Sequence, residues 1–371
     1  MNISYLIEGP IDIANPSSVL KKILRKTNIW INQGHNVWIF SLQTGNYLDV
    51  KTSRVVIYGK EYVKSSGAIS KIATIVYNSY KLFRYLKELS VDVIYSRLIT
   101  YTPVLEVIFR KIPTVLEINS NEKVEYSGEA YSKYTRLYTS LLGDRLKEVA
   151  SAFVFVTHEL AEIYEKDLTH IPTYRVIANG YDFSKIPILN ETQSSRVSLV
   201  FIISPGLPWH GLDHLVELAK NLPEYDFHVV GESGHNTENV FYHGYKTGVE
   251  LEEILSKSHI GVASLALERA GISEACPLKS REYFNYGLPC FGNYVDTDFI
   301  GVVSHHNPIY QQIANIDDYD TSKGEIRQFV ESWINQFPYK GDVRSYAQSF
   351  LDDRVKEKIR LELFCEILQR R

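Results

Sequence analysis

Two glutamates, Glu274 and Glu282, stand on either side of a proline and two cations in the stretch EACPLKSRE. Eight residues along a single helix advance about 12 Å and rotate about 80° from alignment, so one helix does not bring the two acids together. Pro277 suits the first turn of a helix, and Gly287 stands where a left-handed C-terminal cap falls. We therefore expect Glu282 in mid-helix and Glu274 in the loop before it.

This layout suits a ligand that carries phosphate between two sugar-like ends. A helix N-terminus presents unpaired N–H groups and about half a positive charge, so it can bind an anion. The two acids can then accept hydrogen bonds from hydroxyl groups nearby. A purely structural explanation also fits the spacing, because Glu282 can pair with Lys279 at i,i+3 while Glu274 favours the helix dipole.

Composition limits the class of protein. The chain has 371 residues, 44% of them apolar, so it can bury more than one core and its length favours two domains. Its net charge of −4 offers no general attraction to nucleic acid. No apolar run reaches the roughly 18 residues that span a bilayer, and the N-terminus lacks a signal-peptide pattern, which predicts a soluble cytoplasmic protein. The three cysteines show no CxxC spacing and indicate neither a disulfide framework nor a zinc site.

Strand-like apolar runs alternate with helix-like segments along the chain. The runs ISYLIE, NVWIFSL, VDVIYS, TVLEI and AFVFVT favour buried parallel strands, with helices expected at 18–33, 69–89 and 131–149. The polar stretch 189–196 is typical of a domain junction. After it come VSLVFII, DFHVVG, NVFYHG and IGVASLA, helical segments at 211–220 and 248–257, and a final helical stretch. The sequence thus predicts two α/β domains, 1–185 and 186–345, and a C-terminal helix, 346–371.

Two doubly wound sheets in tandem place a cleft where strand C-termini and helix N-termini converge on a ligand. Two common nucleotide motifs are missing. A single Gly9 follows the first strand, which argues against a GxGxxG nicotinamide dehydrogenase, and no GxxxxGK[ST] indicates a P-loop kinase. Gly231 follows the run FHVV at a strand-to-helix turn, and a turn glycine explains it without a ligand.

The second half contains, in this order, IISPGLPWHGLDHLVELAKNL, FHVVGESG, VFYHGY, ELEEILSKSHIGVASL and EACPLKSREYFNYGLP. In this order and spacing it resembles the family 4 glycosyltransferases, which are retaining enzymes. The most specific match is the pair Glu274 and Glu282, separated by seven residues and followed by EYxxxGxP. VIYSR, TVLEINSNEKVEY, AFVFVTHELAEIY and VIANGYD extend the resemblance over nearly the whole chain. The resemblance implies the GT-B fold, an α/β fold of two facing Rossmann-like domains with a C-terminal helix that packs back across them.

The resemblance also implies a role for each site residue. Glu282 binds the ribose hydroxyls of a nucleotide sugar, and the catalytic Glu274 lies beside the transferred sugar. The diphosphate lies against the loop and helix N-terminus at Cys276, Pro277 and Leu278. Fixed N–H dipoles and cations stabilise the leaving diphosphate as the glycosidic bond stretches, and the diphosphate itself takes the acceptor proton. The implied co-substrate is a nucleotide sugar, with no other cofactor and no metal.

One segment departs from the family pattern. After the first strand of the second domain, an arginine and a lysine usually clamp the diphosphate. Here His210 occupies the lysine position, before Gly211, and no arginine precedes it. The pKa of a histidine beside a diphosphate is expected to rise. Lys279, in the first helical turn, is the preferred replacement for the missing cation, ahead of Arg281 and Arg269.

Other candidate residues lie outside the two-glutamate motif. Glu117 and Asn119 end a first-domain strand where many relatives place catalytic or acceptor-side polar groups, although a strand-end cap explains them equally well. Gly231 and Tyr245 complete the expected donor site, with Tyr245 where relatives contact the nucleobase. Asn179-Gly180 matches the turn before the interdomain link, and a turn with positive φ explains that dipeptide.

The chain is therefore expected to be a retaining glycosyltransferase. It would move a sugar from a nucleotide sugar to a hydroxyl of a saccharide or lipid-linked acceptor, in bacterial surface polysaccharide or glycolipid synthesis. Two alternatives stay open. A nucleotide-sugar 2-epimerase of related fold would need no acceptor, and a catalytically inactive homologue would bind the donor without consuming it.

The first-domain helix SSVLKKILRKTNIWI suggests a membrane contact. Its helical wheel places four cations on one arc and apolar residues on the other; the cations are Lys21, Lys22, Arg25 and Lys26. Near anionic lipid each cation contributes on the order of 1 kcal/mol, which predicts peripheral contact with the inner face of a membrane. A solvated helix face without a partner is the alternative.

Overall fold

The computed structural model describes residues 1–63, 67–122, 133–168, 171–189, 196–302 and 307–370. The chain forms two compact units. The first comprises Met1–Ile177 and Glu357–Arg371, and the second comprises Ala178–Lys356. These boundaries fall eight residues before the 185 and eleven residues after the 345 expected from the sequence. Most of the polar stretch 189–196 lies outside the described residues.

The first unit is built on a sheet of eight strands in the order β4-β3-β2-β1-β5-β6-β7-β8. The strands are β1 (Asn2–Ile7), β2 (Asn36–Ser41), β3 (Asn46–Asp49), β4 (Arg54–Ile57), β5 (Val93–Arg97), β6 (Thr114–Ile118), β7 (Ala152–Phe155) and β8 (Tyr174–Val176). The five predicted runs form β1, β2, β5, β6 and β7, which pair in parallel, so this part of the prediction is confirmed. The antiparallel hairpin β3–β4 was not predicted; β4 is apolar in sequence (RVVI) but has only four residues and is mostly exposed.

Six helices of the first unit precede the second unit in the chain within the described residues. They are α1 (Ser18–Asn32), α2 (Gly67–Glu88), α3 (Pro103–Lys111), α4 (Lys133–Leu142), α5 (Arg145–Glu148) and α6 (His158–Asp167). Hydroxyl groups begin three of these helices. The side chains of Ser17, Thr102 and Thr157 each accept a hydrogen bond, of 3.1 to 3.2 Å, from the backbone N–H three residues later. Such caps satisfy donors that have no partner inside the helix.

Lys26 on α1 corrects the predicted basic face. Its Nζ lies 2.5 Å from Oε2 of the buried Glu117, and its side chain is only 16% exposed. The expectation that all four cations of this helix lie on the outer arc is therefore wrong for Lys26. Lys26 follows Ile23 by three residues and precedes Trp30 by four, so it sits at the border of the buried arc, where a buried carboxylate draws it inward.

The second unit is built on a sheet of six strands in the order β11-β10-β9-β12-β14-β16, all parallel. The strands are β9 (Val197–Ile202), β10 (Tyr225–Val230), β11 (Val240–Tyr242), β12 (Ile260–Val262), β14 (Cys290–Gly292) and β16 (Tyr310–Gln312). A separate two-stranded ladder joins β13 (Glu274–Ala275) to β15 (Val295–Asp296). The order is that of a Rossmann sheet, whose ligands bind beyond the carboxyl ends of the strands where the order reverses, here between β9 and β12.

The remaining helices are α7 (Leu212–Asn221), α8 (Val249–Lys257), α9 (Leu278–Asn285), α10 (Tyr319–Ile334), α11 (Lys340–Leu351) and α12 (Asp353–Gln369). The C-terminal stretch expected to be one helix is two, because Asp352 adopts an extended conformation (φ −60°, ψ 137°) between α11 and α12. Of the helices in the described residues, none combines the length and apolarity needed to cross a bilayer.

Candidate functional site

Helix α9 places Lys279 and Glu282 in its first two turns. It begins after β13 with Pro277 as its N-cap and closes at Gly287, whose φ is +69°. The predicted left-handed cap is therefore confirmed. A side chain at Gly287 is also excluded by space, because a Cβ would lie 2.3 Å from the carbonyl oxygen of Lys340.

Lys279 connects three segments near the carboxyl ends of β9 and β12. Its Nζ lies 3.5 Å from Oγ of Ser204, after β9, and 3.3 Å from Nε2 of His210. The other ring nitrogen of His210, Nδ1, lies 3.3 Å from Oγ of Ser264, after β12. The structure thus brings two expected diphosphate residues together at the switch point of the sheet.

Burial sets the charge of these two side chains. It lowers the pKa of Lys279 to about 8, although the nearby Glu282 opposes the shift. Burial, and then Lys279, lower the pKa of His210 to about 4. His210 is therefore neutral at pH 7 in the ligand-free chain. The rise of its pKa beside a diphosphate stays a prediction. Lys279 carries the positive charge at this place.

Glu282 is the acid whose environment most clearly calls for a ligand. It is half-buried, and its carboxylate forms neither a hydrogen bond nor a salt bridge with any described residue. Burial raises the pKa of Glu282, and the charge of Lys279 opposes the shift. The ion pair of the structural alternative is not formed, because the Lys279 amine contacts Ser204 and His210 instead. A half-buried acid without a partner is typical of a functional site.

Glu274 is buried at the start of β13, opposite Val295 of β15. The fully buried Arg281 of α9 holds β15 in place. Its guanidinium donates to both carboxylate oxygens of Asp296 and, at 2.8 Å, to Asp298. Arg281 therefore supports the ladder that carries Glu274 and is not available to bind a phosphate.

Arg269 is also engaged elsewhere. Its guanidinium makes two hydrogen bonds to the carboxylate of Asp213, of 2.9 and 2.8 Å. Of the three cations proposed to replace the missing clamp, Lys279 alone is free of a carboxylate within salt-bridge distance in the part of the chain that the structure describes.

The loop before α9 is fixed by a neighbouring amide. Asn179 donates from Nδ2 to the carbonyl of Cys276 at 3.1 Å and from its backbone N–H to Sγ at 3.4 Å. Burial raises the pKa of the Cys276 thiol to about 11, so it is no nucleophile at neutral pH. The positive φ expected at Gly180 is not observed; a glycine is required there because a Cβ would lie 2.5 Å from Oδ1 of Asp353.

Two glycines let the backbone approach the strand ends closely. Gly211 has φ +75°, and a Cβ there would lie 2.9 Å from Cβ of Leu265. Gly231 has φ +105°, and its Cβ would lie 1.9 Å from the carbonyl oxygen of Ile203. A turn that excludes side chains thus accounts for Gly231. Tyr245, the expected nucleobase contact, is 80% exposed.

In the first unit, Glu117 and Asn119 line a cavity of about 370 Å³. Glu117 accepts hydrogen bonds of 2.5 Å from Nζ of Lys26 and from the hydroxyl of Tyr95. Burial alone would raise the pKa of Glu117, but Lys26 and Arg360 outweigh it and hold this pKa far below its ordinary value. These bonds favour the structural alternative for Glu117 over a catalytic one.

Sequence reasoning did not identify Ser204, Ser264 or the Asn179 contact. Ser204 directly follows the predicted run VSLVFII, so the rule that parallel strands end at one edge was the signal for it. Ser264 lies within the predicted run IGVASLA, because β12 ends earlier, at Val262. The Asn179 contact has no such signal, because its partner lies 97 residues away. Within the described ranges, no three His, Cys, Asp or Glu side chains are grouped to hold a metal ion.

Several solved structures share the fold over the full chain at low sequence identity. Sucrose-phosphate synthase from Thermosynechococcus elongatus matches with a TM-score of 0.67 at 11% identity, over 100% of both chains. Anabaena HepE in complex with UDP-glucose matches with a TM-score of 0.57 at 12% identity, over 99% of this chain and 100% of that one. The lipopolysaccharide outer core galactosyltransferase WaaB matches with a TM-score of 0.61 at 11% identity, over 96% of this chain and 97% of that one. No family model and no curated protein sequence matches the chain. The chain has the α/β fold of two Rossmann-like domains found in GT-B glycosyltransferases.

Proposed function

We propose that the chain is a retaining glycosyltransferase of the family 4 type, which moves a sugar from a nucleotide sugar to a hydroxyl acceptor. One observation carries this proposal: Glu282, half-buried and without a partner in the described residues, shares helix α9 with the ammonium of Lys279. The fold supports it, since structures of HepE with UDP-glucose and with UDP and glucose have the same architecture.

The second unit binds the donor. Glu282 accepts hydrogen bonds from the ribose hydroxyls, which compensate its lost hydration. The diphosphate lies against the N-terminal N–H groups of α9 and beside Lys279, whose ammonium neutral His210 positions by accepting a hydrogen bond at Nε2. Anions are favoured at a helix N-terminus by its unpaired N–H groups and its dipole.

The chemistry requires charge stabilisation more than a strong base. As the bond between the anomeric carbon and the diphosphate oxygen breaks, negative charge grows on the diphosphate, where Lys279 and the α9 N–H groups stabilise it. The acceptor oxygen forms the new bond on the same face of the sugar and passes its proton to the departing diphosphate. Glu274 contacts the transferred sugar and favours the positive charge that develops at the anomeric carbon.

The acceptor is a saccharide or a lipid-linked saccharide of a surface polysaccharide or glycolipid. The similarity of fold to a lipopolysaccharide galactosyltransferase supports this class. Contact with an anionic membrane is not required, and α1 offers fewer outward cations than its sequence suggests, because Lys26 is paired with Glu117.

Affinity for a nucleoside diphosphate should fall as the pH rises above about 8. The Lys279 ammonium loses its proton near this pH in the free chain, so binding at higher pH must take a proton up, and each further unit weakens binding by up to about tenfold. Calorimetry at pH 7 and 9.5 measures the effect. Lys279→Met should abolish this dependence of affinity on pH, whereas Lys257→Met, which removes an exposed lysine, should leave it unchanged.

Unfolding gives an independent check on the same lysine. The pKa of Lys279 falls from 10.5 to about 8 on folding, so the unfolded chain binds more protons between these values. The ligand-free protein should therefore gain stability from this group as the pH rises through that window, while it loses nucleotide affinity. Parallel loss of both would contradict the assignment of Lys279 to the phosphate.

Donor consumption with and without acceptor tests the function. A thermal-shift screen with UDP-, GDP-, ADP- and CMP-sugars identifies the donor, and product analysis then follows its fate with a panel of saccharides. We expect transfer that depends on the acceptor and retains the anomeric configuration. Conversion of the donor alone to a 2-epimer would replace the proposal, and binding without consumption of donor by any acceptor of the panel would favour an inactive homologue.

Glu274→Gln should leave nucleoside diphosphate affinity unchanged and lower turnover of the intact donor. Its proposed contacts are with the sugar and strengthen only as charge develops in the transition state, so kcat falls more than binding. Calorimetry with the nucleoside diphosphate and steady-state kinetics with the donor separate the two effects. Equal loss of affinity for both ligands would count against this role.

A further inference from the structure

The cavity of the first unit opens at the carboxyl ends of β1, β5 and β6. Ile7, Arg97 and Glu117 come from these strands, and Ser17 and Leu20 come from the first turn of α1. Its volume of about 370 Å³ is within the range of small-molecule sites. β1 and β5 are the strands between which the sheet order reverses, so this is the ligand-binding edge of the first unit.

Three carboxylates line the cavity, and each has a lysine partner. Glu8 lies 2.6 Å from Nζ of Lys71 and also accepts from the backbone and hydroxyl of Thr100. Glu117 lies 2.5 Å from Lys26. The third carboxylate, that of Glu122, lies 3.0 Å from Nζ of the buried Lys147. Each acid that lines the cavity thus has a cation partner, although Lys147 is shared with Asp144 at 2.9 Å.

Arg97 is a lining cation that no acid of the described residues pairs with. It lines the cavity at the end of β5 and is half-buried, yet its guanidinium forms no hydrogen bond or ion pair with any residue in the described ranges. A half-buried guanidinium has five donors that need acceptors. A cavity whose own acids are already paired therefore favours an anion brought by the ligand.

Two further groups of donors face the same space. Helix α1 has no acidic residue in its first turn, so the N–H groups of Ser18 and Val19 and the positive end of the helix dipole are not neutralised there. Asn119 lines the cavity, and its buried Nδ2 has no hydrogen-bond acceptor among the residues that the structure describes. A helix N-terminus alone is a weak indication, but here it meets an uncompensated arginine and an unsatisfied amide in one cavity.

We propose that this cavity binds an anionic sugar, with the guanidinium of Arg97 and the N-terminus of α1 holding a phosphate or carboxylate carried by that sugar. This inference rests on the proposed function, because it gives the acceptor a chemical class. A planar guanidinium can bind either anion in a bidentate manner. The sugar hydroxyls then meet Asn119 and the paired carboxylates, which line the same cavity.

Binding of small probes tests the inference without any donor. Calorimetry at constant ionic strength compares glucose 6-phosphate, glucuronate and glucose on the wild-type chain. We expect at least one anionic probe to bind about tenfold or more tightly than glucose. Preference for glucose 6-phosphate indicates a phosphate, and preference for glucuronate indicates a carboxylate. Equal binding of all three probes, or binding of none, would overturn the proposal.

Variants at Arg97 locate the anion. Arg97→Gln removes a charge-assisted hydrogen-bond donor and should weaken binding of the preferred probe by about 10- to 150-fold while leaving glucose affinity unchanged. Arg97→Lys keeps the charge but loses the bidentate geometry. Its affinity for the preferred probe should therefore lie between that of the wild type and that of Arg97→Gln. Arg54→Gln, which removes an exposed arginine of the same unit, is the matched control. If Arg97→Gln and Arg54→Gln bind the probe equally well, the assignment is wrong.

The anion site and the proposed function can be tested independently of each other. Arg97→Gln should keep the wild-type affinity for the nucleoside diphosphate, which we assign to the second unit. Nucleotide binding without anion preference would overturn only the acceptor inference. Anion preference in a chain that binds no nucleotide would overturn only the glycosyltransferase proposal.

Discussion

Arg281→Met should lower the free energy of unfolding by about 3–5 kcal/mol, the largest change in stability expected from a single substitution near the candidate site. Arg281 is fully buried and pairs with Asp296 and Asp298, and Lys356 also pairs with Asp298. The two cations balance the two acids. Removing Arg281 leaves a buried carboxylate without its partner, which costs far more than an exposed pair contributes.

Chemical denaturation measures this loss, and two comparisons make it specific. Arg269→Met breaks the partly exposed pair with Asp213 and should cost less than about 1 kcal/mol. Arg281→Met combined with Asp296→Asn should recover part of the stability. A loss no larger than that of Arg269→Met would contradict the network described here.

The pH dependence of the Arg281→Met variant follows from Asp296. Burial already raises the pKa of this carboxyl above its ordinary value of 3.8, against the pull of Arg281. Without Arg281 the folded chain keeps this proton to still higher pH, while the unfolded chain releases it near the ordinary value. The folded chain then binds more protons, so the variant loses stability as the pH rises above that value.

Glu282→Gln should weaken nucleoside diphosphate binding by about 10- to 150-fold, which corresponds to about 1.5–3 kcal/mol. The carboxylate has no hydrogen-bond partner in the described part of the chain, so its acceptors are free for the ribose hydroxyls. Replacing it also removes a half-buried charge whose pKa burial has raised, so the variant should be as stable as the wild type or more stable. Calorimetry and thermal unfolding measure the two effects.

The control for this variant is Glu217→Gln, which changes another half-buried glutamate of the same unit, one that does pair with a lysine, Lys220. It should alter neither nucleotide affinity nor stability appreciably. Unchanged nucleotide affinity in a folded Glu282→Gln protein would remove the ribose role. Reduced affinity with a large loss of stability would instead indicate a structural role for Glu282.

The parallel strands and helix α9 were predictable because local patterns determine them. Buried β-branched runs select strands, and Pro277 and Gly287 delimit α9 through backbone restrictions that do not depend on the rest of the fold. The placement of Glu282 and Lys279 on one helix followed from these signals. Their meeting with His210 followed only from the resemblance, since 69 residues separate His210 from Lys279.

The partners of the charged side chains were not predictable. Arg281 and Lys279 are two residues apart on the same helix, yet one is buried with Asp296 and the other contacts His210. Lys26 belongs to a basic run by sequence and to a buried ion pair by structure. Such choices depend on which buried acid lies across the fold, and a helical wheel carries no information about that. Arg97 was overlooked for the same reason, because its importance lies in the partner that it lacks.

Calorimetry on a two-by-two set of complexes tests whether Glu282 binds the ribose hydroxyls. The preferred nucleoside diphosphate and its 2′,3′-dideoxy analogue are each titrated into the wild-type protein and into Glu282→Gln. We expect that loss of the ribose hydroxyls weakens binding to the wild type by about tenfold or more and has little further effect on Glu282→Gln. Equal losses on both proteins, or full-affinity binding of the dideoxy analogue to the wild type, would contradict it.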